Sequence, residues 1–233
     1  MLVLGVEASG GISGAAVSIE GRGISSVELA GRGRHARSVS DAVEALFGSL
    51  DLSPADVELI AVGRGPGSFT GSRVAMGVAK GFAFGQGAPI VGVSSLAAMA
   101  APACIEGSVI LAASDARRGE IYGALYAPDP TASLPLPLSE EAAIPLSELG
   151  RWLANHLPRD LPLTIAGNGA ERTAGALLAQ SEFEAPVHLA APEGRVSASP
   201  ASVARLGLAR FLVDGPDDPD ALDPVYIRPA VGG

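Results

Sequence analysis

Gly63-Arg64-Gly65-Pro66-Gly67-Ser68-Phe69-Thr70-Gly71-Ser72-Arg73 is the stretch on which the reading of this 233-residue chain turns. An apolar, β-type segment, Val57 to Val62, leads into it. Glycines at 63, 65, 67 and 71 with Pro66 exclude the interior of a strand or helix. They mark a loop that turns sharply or lies against another surface. Ser68 and Thr70 are good N-cap residues, so a helix is predicted to start within a residue or two of Gly71. The loop lacks the Gly-Lys-Ser/Thr ending of a P-loop and does not fit Gly-x-Gly-x-x-Gly. A tight turn alone would explain such glycines; the helix that follows asks for more.

At about 100° per residue, Val74, Val78 and Phe82 form one stripe of that helix. Gly77, Gly81 and Gly85 form a second, and Ala75, Ala79 and Ala83 a third. Arg73 and Lys80 share the remaining face with Met76 and Phe84. A helix apolar over most of its circumference is buried on more than one side. Its three interior glycines cost roughly 1 kcal/mol each relative to alanine, which close backbone approach to a neighbour would offset. Either the helix is central to its own domain, or one side is left for a partner protein. The second reading places a partner surface on Arg73, Met76, Gly77, Lys80, Gly81 and Phe84, joined by Val39 and Val43 of the preceding helix. With no other partner, the same patch is expected to pair with itself as a two-fold homodimer.

The net charge of −9 argues against autonomous nucleic-acid binding, which needs clustered Lys and Arg. Aromatic residues are only 4%, so the core is expected to consist of small aliphatics. One cysteine, Cys104, excludes a disulfide framework or a cysteine metal site. The opening Met1-Leu2-Val3-Leu4-Gly5-Val6-Glu7 has no basic region and meets an acid too early for a secretory leader. Gly81 to Ile105 is uncharged, but prolines, serines and glycines interrupt it, so no membrane span is expected. The expectation is a cytoplasmic protein without a membrane partner.

The chain opens with strands at Leu2 to Glu7, Gly14 to Ile19 and Ile24 to Leu29. Ser38-x-x-Asp41 resembles a capping box before a helical stripe of Val39, Val43, Leu46 and Leu50. After the glycine loop and its helix come a strand at Ile90 to Val93 and another helix. The second half begins like the first: Val109 to Asp115 is an apolar strand ending in an acid, followed by a short turn and a strand at Glu120 to Tyr126. Glu7 and Asp115 thus hold equivalent places, which suggests two α/β domains of common ancestry with acids facing a cleft. The first domain is expected to span 1–104 plus 196–233, and the second, smaller one 105–195. Pro128 to Pro137 reads as a connector. Ser147 to His156 reads as helix, Leu163 to Ala166 as a strand running into Gly167-Asn168-Gly169 and another helix, and Ser199 or Ser202 as the cap of a closing helix.

Glu7 and Asp115 suit either metal–nucleotide or acid–base chemistry, or simple turn capping. Ser9-Gly10-Gly11 is either a phosphate cradle or a hairpin turn. The candidate nucleotide contacts are therefore Ser9, Gly10, Asp115 and Gly169. His35, His156 and His188 lie far apart without metal-ligand spacing, and neither Gly-x-Ser-x-Gly nor a nucleophile–base pattern occurs. No catalytic residue and no metal ligand is assigned.

The glycine loop with Arg73, Gly92-Val93-Ser94-Ser95-Leu96, Asp115-Ala116-Arg117-Arg118-Gly119-Glu120-Ile121-Tyr122 and the tail Pro224-Val225-Tyr226-Ile227-Arg228 resemble the TsaB family. The resemblance spans essentially the whole chain. It implies an α/β protein with the duplicated actin/Hsp70/sugar-kinase (ASKHA, ribonuclease H-like) fold. It also implies a role in making N6-threonylcarbamoyladenosine next to the anticodon of tRNA. In that family the protein pairs with the related subunit TsaD, which carries the metal-binding histidine pair and the catalytic site, and TsaE joins them. This chain has His35 but not the second histidine of that pair. The implied role is a non-catalytic subunit, a homodimer in isolation and a heterodimer with TsaD. It would require no cofactor, bind ATP or ADP weakly and mainly in the complex, and meet tRNA only indirectly. Family members usually end the first strand in Asp-Thr-Ser or Asp-Thr-Ala; Glu7-Ala8-Ser9 here weakens a phosphate or metal role. The alternatives are a TsaD-like, ATP-binding transferase and a glycoprotein endopeptidase-like metalloprotease.

Overall fold

Every residue of Leu-Val-Leu-Gly-Val-Glu is buried, because Leu2–Glu7 (β1) lies at the centre of a sheet covered on both faces. A computed structural model describes residues 1–19, 23–30, 35–104, 107–129, 134–158, 161–180, 186–190 and 197–228. β1 pairs antiparallel with Ile12–Ile19 (β2), which pairs with Gly23–Ala30 (β3). On its other side β1 runs parallel to Leu59–Gly63 (β4), and β4 to Ile90–Val93 (β5). The order is β3-β2-β1-β4-β5.

The helices His35–Leu50 (α1) and Phe69–Gln86 (α2) pack on one face of this sheet. Val39, Val43, Leu46 and Phe47 from α1 and Ala75, Met76, Ala79 and Ala83 from α2 meet Leu4, Val6, Ile60 and Val62 there. Phe47 and Phe82 join the helices edge to face, 6.1 Å apart. The helix starts three residues before Ser38, so the expected capping box at Ser38 is not its N-terminus. Pro200–Asp214 (α6, after α3 to α5 below) covers the other face; Ser199 caps it, accepting from Ser202 N–H (3.1 Å), and Pro200 suits the first turn. Its approach is close because small residues meet. A Cβ at Gly5 would stand 2.4 Å from Pro200 O, and one at Gly207 2.3 Å from the Ala61 methyl.

The second half repeats the pattern. Ser95–Ala100 (α3) precedes Val109–Arg117 (β6), which forms an antiparallel hairpin with Glu120–Pro128 (β7). The outer strands Pro135–Pro137 (β8) and Ala142–Pro145 (β9) pair with β7. Leu149–His156 (α4) follows; Leu163–Ala166 (β10) then runs parallel to β6, and after Ala170–Leu178 (α5), Val187–Leu189 (β11) runs parallel to β10. Hairpin-then-parallel order is thus common to both sheets. β9 and β11 were not anticipated, being short and poor in alternation. Part of the Pro128 to Pro137 connector, 130–133, lies outside the described residues; its end is β8.

The chain divides into two compact units, Met1–Ala98 with Ala198–Tyr226, and Met99–Ser197 with Ile227–Gly233. In the first, Gly215 to Tyr226 seals the β5 edge. Asp217 N–H donates to Ile90 O (2.9 Å), Gly92 N–H donates to Asp217 Oδ2 (2.7 Å), and Arg210 grips the same carboxylate with two bonds of 2.5 Å. That hydrogen bonding by Arg210 holds the Asp217 carboxyl below its usual range. Among the described residues no helix is long and apolar enough to cross a membrane.

Candidate functional site

The glycine loop is shaped by the turn after β1. A Cβ at Gly63 would lie 2.1 Å from Glu7 Oε2, one at Gly67 2.3 Å from Ser9 O, and one at Gly71 1.9 Å from Ala8 O. No side chain fits at these three positions, and Gly65 has a left-handed φ of +86°. Hydrogen bonds lock the contact: Ser68 N–H donates to Ser9 O (2.6 Å), and Ser95 N–H donates to Gly65 O (2.9 Å). Ser95 Oγ accepts from Gly65 N–H (3.1 Å) while donating to Glu7 Oε2 (2.8 Å). Glu7 Oε1 accepts from Ser9 N–H (2.5 Å). Ser68 then caps α2, accepting from Gly71 N–H (3.2 Å), and the helix begins at Phe69, within the expected two residues of Gly71.

Glu7 is therefore fully enclosed, at 0% exposure. Loss of water pushes its carboxyl pKa up, and bonds from Ser9, Ser95 and Ala8 only partly oppose this. The expectation of a ligand-facing acid at Glu7 is corrected: the carboxylate pins the loop to the β1 turn. Ser9 is likewise 4% exposed, its amide and carbonyl committed to Glu7 and Ser68. Gly10 is half-buried, and a Cβ there would meet nothing. In the second unit Asp115 and Gly169 do come together. Gly169 N–H donates to Ala113 O (2.9 Å), Asp115 N–H donates to Asn168 Oδ1 (2.9 Å), and Asp115 Oδ1 accepts from Arg117 N–H (2.9 Å) and faces Arg172 (3.5 Å). The four expected nucleotide contacts thus fall two in each unit. Ser9 and Asp115 are already engaged, so this donor set fits a tightly held phosphate poorly.

Of the eight residues of the expected partner surface, Arg73, Gly77, Gly81 and Phe84 are exposed, Lys80 is partly exposed and three are buried. Thr70, Arg73, Gly77, Gly81, Phe84 and Gly85 of α2 are exposed. A Cβ at Gly77, Gly81 or Gly85 would meet nothing within 4 Å, and Phe84 is 94% exposed. Met76 is 4% exposed and belongs to the core, as do Val39 and Val43 of α1; the expectation that these three face outward is corrected. On the wheel Met76 lies beside Ala83 and Ala79, the side that the sheet takes. Lys80 is partly exposed and 3.8 Å from Asp223.

Sequence reasoning missed how the tail completes this face. Val225 N–H donates to Arg64 O (2.8 Å), and Leu222 is buried against Gly92. Tyr226 then receives a hydrogen bond from Arg73 Nε (2.8 Å), and the Arg73 guanidinium lies 4.0 Å over the Phe69 ring. Phe69 and Tyr226 are 5.1 Å apart and both about 40% exposed, with a cation between them at the start of α2. The signal was the specific tail sequence, which carries no periodicity of its own.

Two units with the same hairpin-and-parallel sheet order have the fold of the actin/Hsp70/sugar-kinase class. Likeness to the (R)-2-hydroxyglutaryl-CoA dehydratase component A of Acidaminococcus fermentans bears on that fold alone: TM-score 0.52, 11% identity, 91% of this chain and 99% of that one. YeaZ from Pseudomonas aeruginosa aligns with TM-score 0.82 and 26% identity over 97% of this chain and 99% of that one. The family described as "TsaD: tRNA N6-adenosine threonylcarbamoyltransferase" matches residues 28–132. The tRNA threonylcarbamoyladenosine biosynthesis protein TsaB of Escherichia coli is 41% identical over 97 residues, covering 41% of this chain and 42% of that protein. The protein of the same description from Bacillus subtilis is 39% identical over 92 residues, covering 40% of each chain. The aligned region is thus about two fifths of the length of these curated relatives. Over these stretches the chain is similar to TsaB and YeaZ proteins.

Proposed function

We propose that this chain is a non-catalytic subunit for N6-threonylcarbamoyladenosine modification of the tRNA adenosine next to the anticodon. It acts by binding and supporting TsaD, together with TsaE, and meets tRNA only indirectly, through that complex. The names of the relatives support the pathway. The observation that carries the subunit role is the bare outer face of α2, where Gly77, Gly81 and Gly85 face open space beside exposed Phe84. In the described residues nothing offsets the helix cost of these glycines. A partner helix laid against them approaches backbone to backbone, takes up Phe84 and leaves Arg73 and Lys80 at the rim. The chain requires no cofactor in this reading and binds ATP or ADP weakly, mainly in the complex.

The test is co-purification of the full chain with its own organism's TsaD, and measurement of threonylcarbamoyladenosine in a strain depleted of its TsaB. Wild type should bring TsaD down and restore the nucleoside. Phe84→Asp should stay folded, lose TsaD at least tenfold and fail to restore it. Unchanged TsaD binding by the folded variant would show that the face is wrong. A second reading, a TsaD-like transferase, has the TsaD family match in its favour. Threonylcarbamoyl transfer to tRNA by the isolated chain would establish it in place of the first.

A further inference from the structure

Within Asp115 to Tyr122 nearly every side chain has a task in the second unit. Asp115 accepts from Arg117 N–H and faces Arg172, and Ile121 is buried. Glu120 pairs with Arg228, whose guanidinium lies 5.6 Å over the Tyr122 ring. Gly119 O accepts from Leu146 N–H (2.9 Å). Two side chains remain, Arg117 and Arg118, at the hairpin tip. Both are exposed, and among the described residues neither guanidinium has a hydrogen-bond or ion-pair partner.

Their backbone makes this costly. Arg117 pairs with Glu120 across the two-residue turn Arg118-Gly119, and φ is +61° at Arg117, +53° at Arg118 and +81° at Gly119. Positive φ at both turn residues is the type I′ arrangement, for which Asn-Gly is the favoured sequence. An L-residue with a Cβ is disfavoured there, and glycine or asparagine would relieve it. The fold holds two arginines where their side chains gain nothing from the unit and their backbones are strained. Strain kept at a solvent-facing tip points to use of the side chains by a ligand.

We propose that the Arg117–Arg118 tip contacts the phosphodiester backbone of an RNA. The inference rests on the tRNA-modification reading, which supplies the RNA, and departs from it in giving this chain a direct contact. A guanidinium binds a phosphate with two parallel hydrogen bonds, and a polynucleotide offers one such group per residue, so two adjacent arginines suit it. Asp115 and Glu120, the acids flanking the tip, are each engaged by another arginine, Arg172 and Arg228. In a chain of net charge −9 such a tip adds local, salt-sensitive affinity rather than autonomous tight binding.

The experiment uses the full chain, alone and mixed with its organism's TsaD, against a tRNA transcript followed by fluorescence anisotropy at several salt concentrations. Arg117→Gln with Arg118→Gln keeps the backbone strain and removes the charges. Arg117→Gly with Arg118→Asn removes both. Each pair should weaken tRNA binding roughly tenfold and reduce the salt slope by about 2. The Gly/Asn pair should also raise Tm by about 2 °C, while the Gln pair leaves it unchanged. Unchanged affinity and slope, or no tRNA binding by wild type in either preparation, overturns the inference. So does a Tm lowered in both pairs, which would make the tip structural, or tip-dependent binding of polyglutamate but not of tRNA, which would make the ligand an acidic polypeptide. If wild type restores threonylcarbamoyladenosine in depleted cells while RNA binding ignores the tip, this inference fails and the functional reading stands. If wild type does not restore it, the functional reading itself fails.

Discussion

Glu7 shows what one residue's surroundings can do to its chemistry. On the sequence it is a strand-end acid, equivalent to Asp115, and open to metal or acid–base roles. In the structure its two oxygens accept from Ser9 N–H and Ser95 Oγ, and the side chain is fully buried. Its pKa is raised above the ordinary 4.5, chiefly by burial. The native state therefore holds this proton more tightly than the unfolded chain does. The stability it contributes is complete below the ordinary value and is lost as pH rises through the folded value. Glu7→Gln removes the charge and keeps the shape. The difference in Tm, variant minus wild type, should grow as pH is raised from about 4 to about 8. A difference independent of pH would show that the carboxylate does not titrate in this window.

At the scale of an element, α2 is a helix with two small-residue faces put to different ends. Ala75, Ala79 and Ala83 let it sit close on the sheet, with Met76 at their edge filling the core. Gly77, Gly81 and Gly85 leave the opposite side bare. The two faces give opposite responses to substitution. Met76→Asp places a charge in the core and should cost about 3 kcal/mol or more of unfolding free energy in urea titrations. Gly77→Leu lies in open space and replaces a poor helix former, so stability should rise by up to about 1 kcal/mol while partner binding is lost. A Gly77→Leu protein that unfolds would mean the stripe is covered by part of this chain. Leucine there with unimpaired partner binding would move the contact elsewhere.

For the whole molecule, the proposed use of one α2 face by a second copy and by TsaD predicts competition. The chain alone is expected to form a two-fold dimer through α2, because an isologous contact buries the same glycines and Phe84 twice. TsaD should then displace one copy rather than add to the pair. Sedimentation of wild type should show a concentration-dependent dimer that becomes a one-to-one complex on adding TsaD. Gly77→Leu should be monomeric and bind neither. A stable assembly of two copies of this chain and TsaD, with α2 of each still protected, would contradict a shared face.

Much of this architecture was legible in order along the chain. Glycine, proline and serine act on the backbone within a few residues, so the loop at Gly63–Gly71, its helix, the two hairpins and the Ser199 cap follow from local chemistry. The repeat was legible because an apolar strand ending in an acid occurs twice, at Glu7 and Asp115. Facing was not. Met76 lies near the edge of the exposed arc on a wheel, and only the sheet's position assigns it to the core. Whether a glycine stripe is a close contact or a vacant face is likewise set by what lies opposite. Gly63, Gly67 and Gly71 are filled against Glu7, Ser9 and Ala8, whereas Gly77 and Gly81, a few residues on, are bare. The sequence determined where the backbone bends, coils and repeats, since those preferences are local. Tertiary structure decided which surfaces are spent and which are left over, because burial depends on residues distant in the chain, such as Glu7 beside Ser95 and Arg73 beside Tyr226.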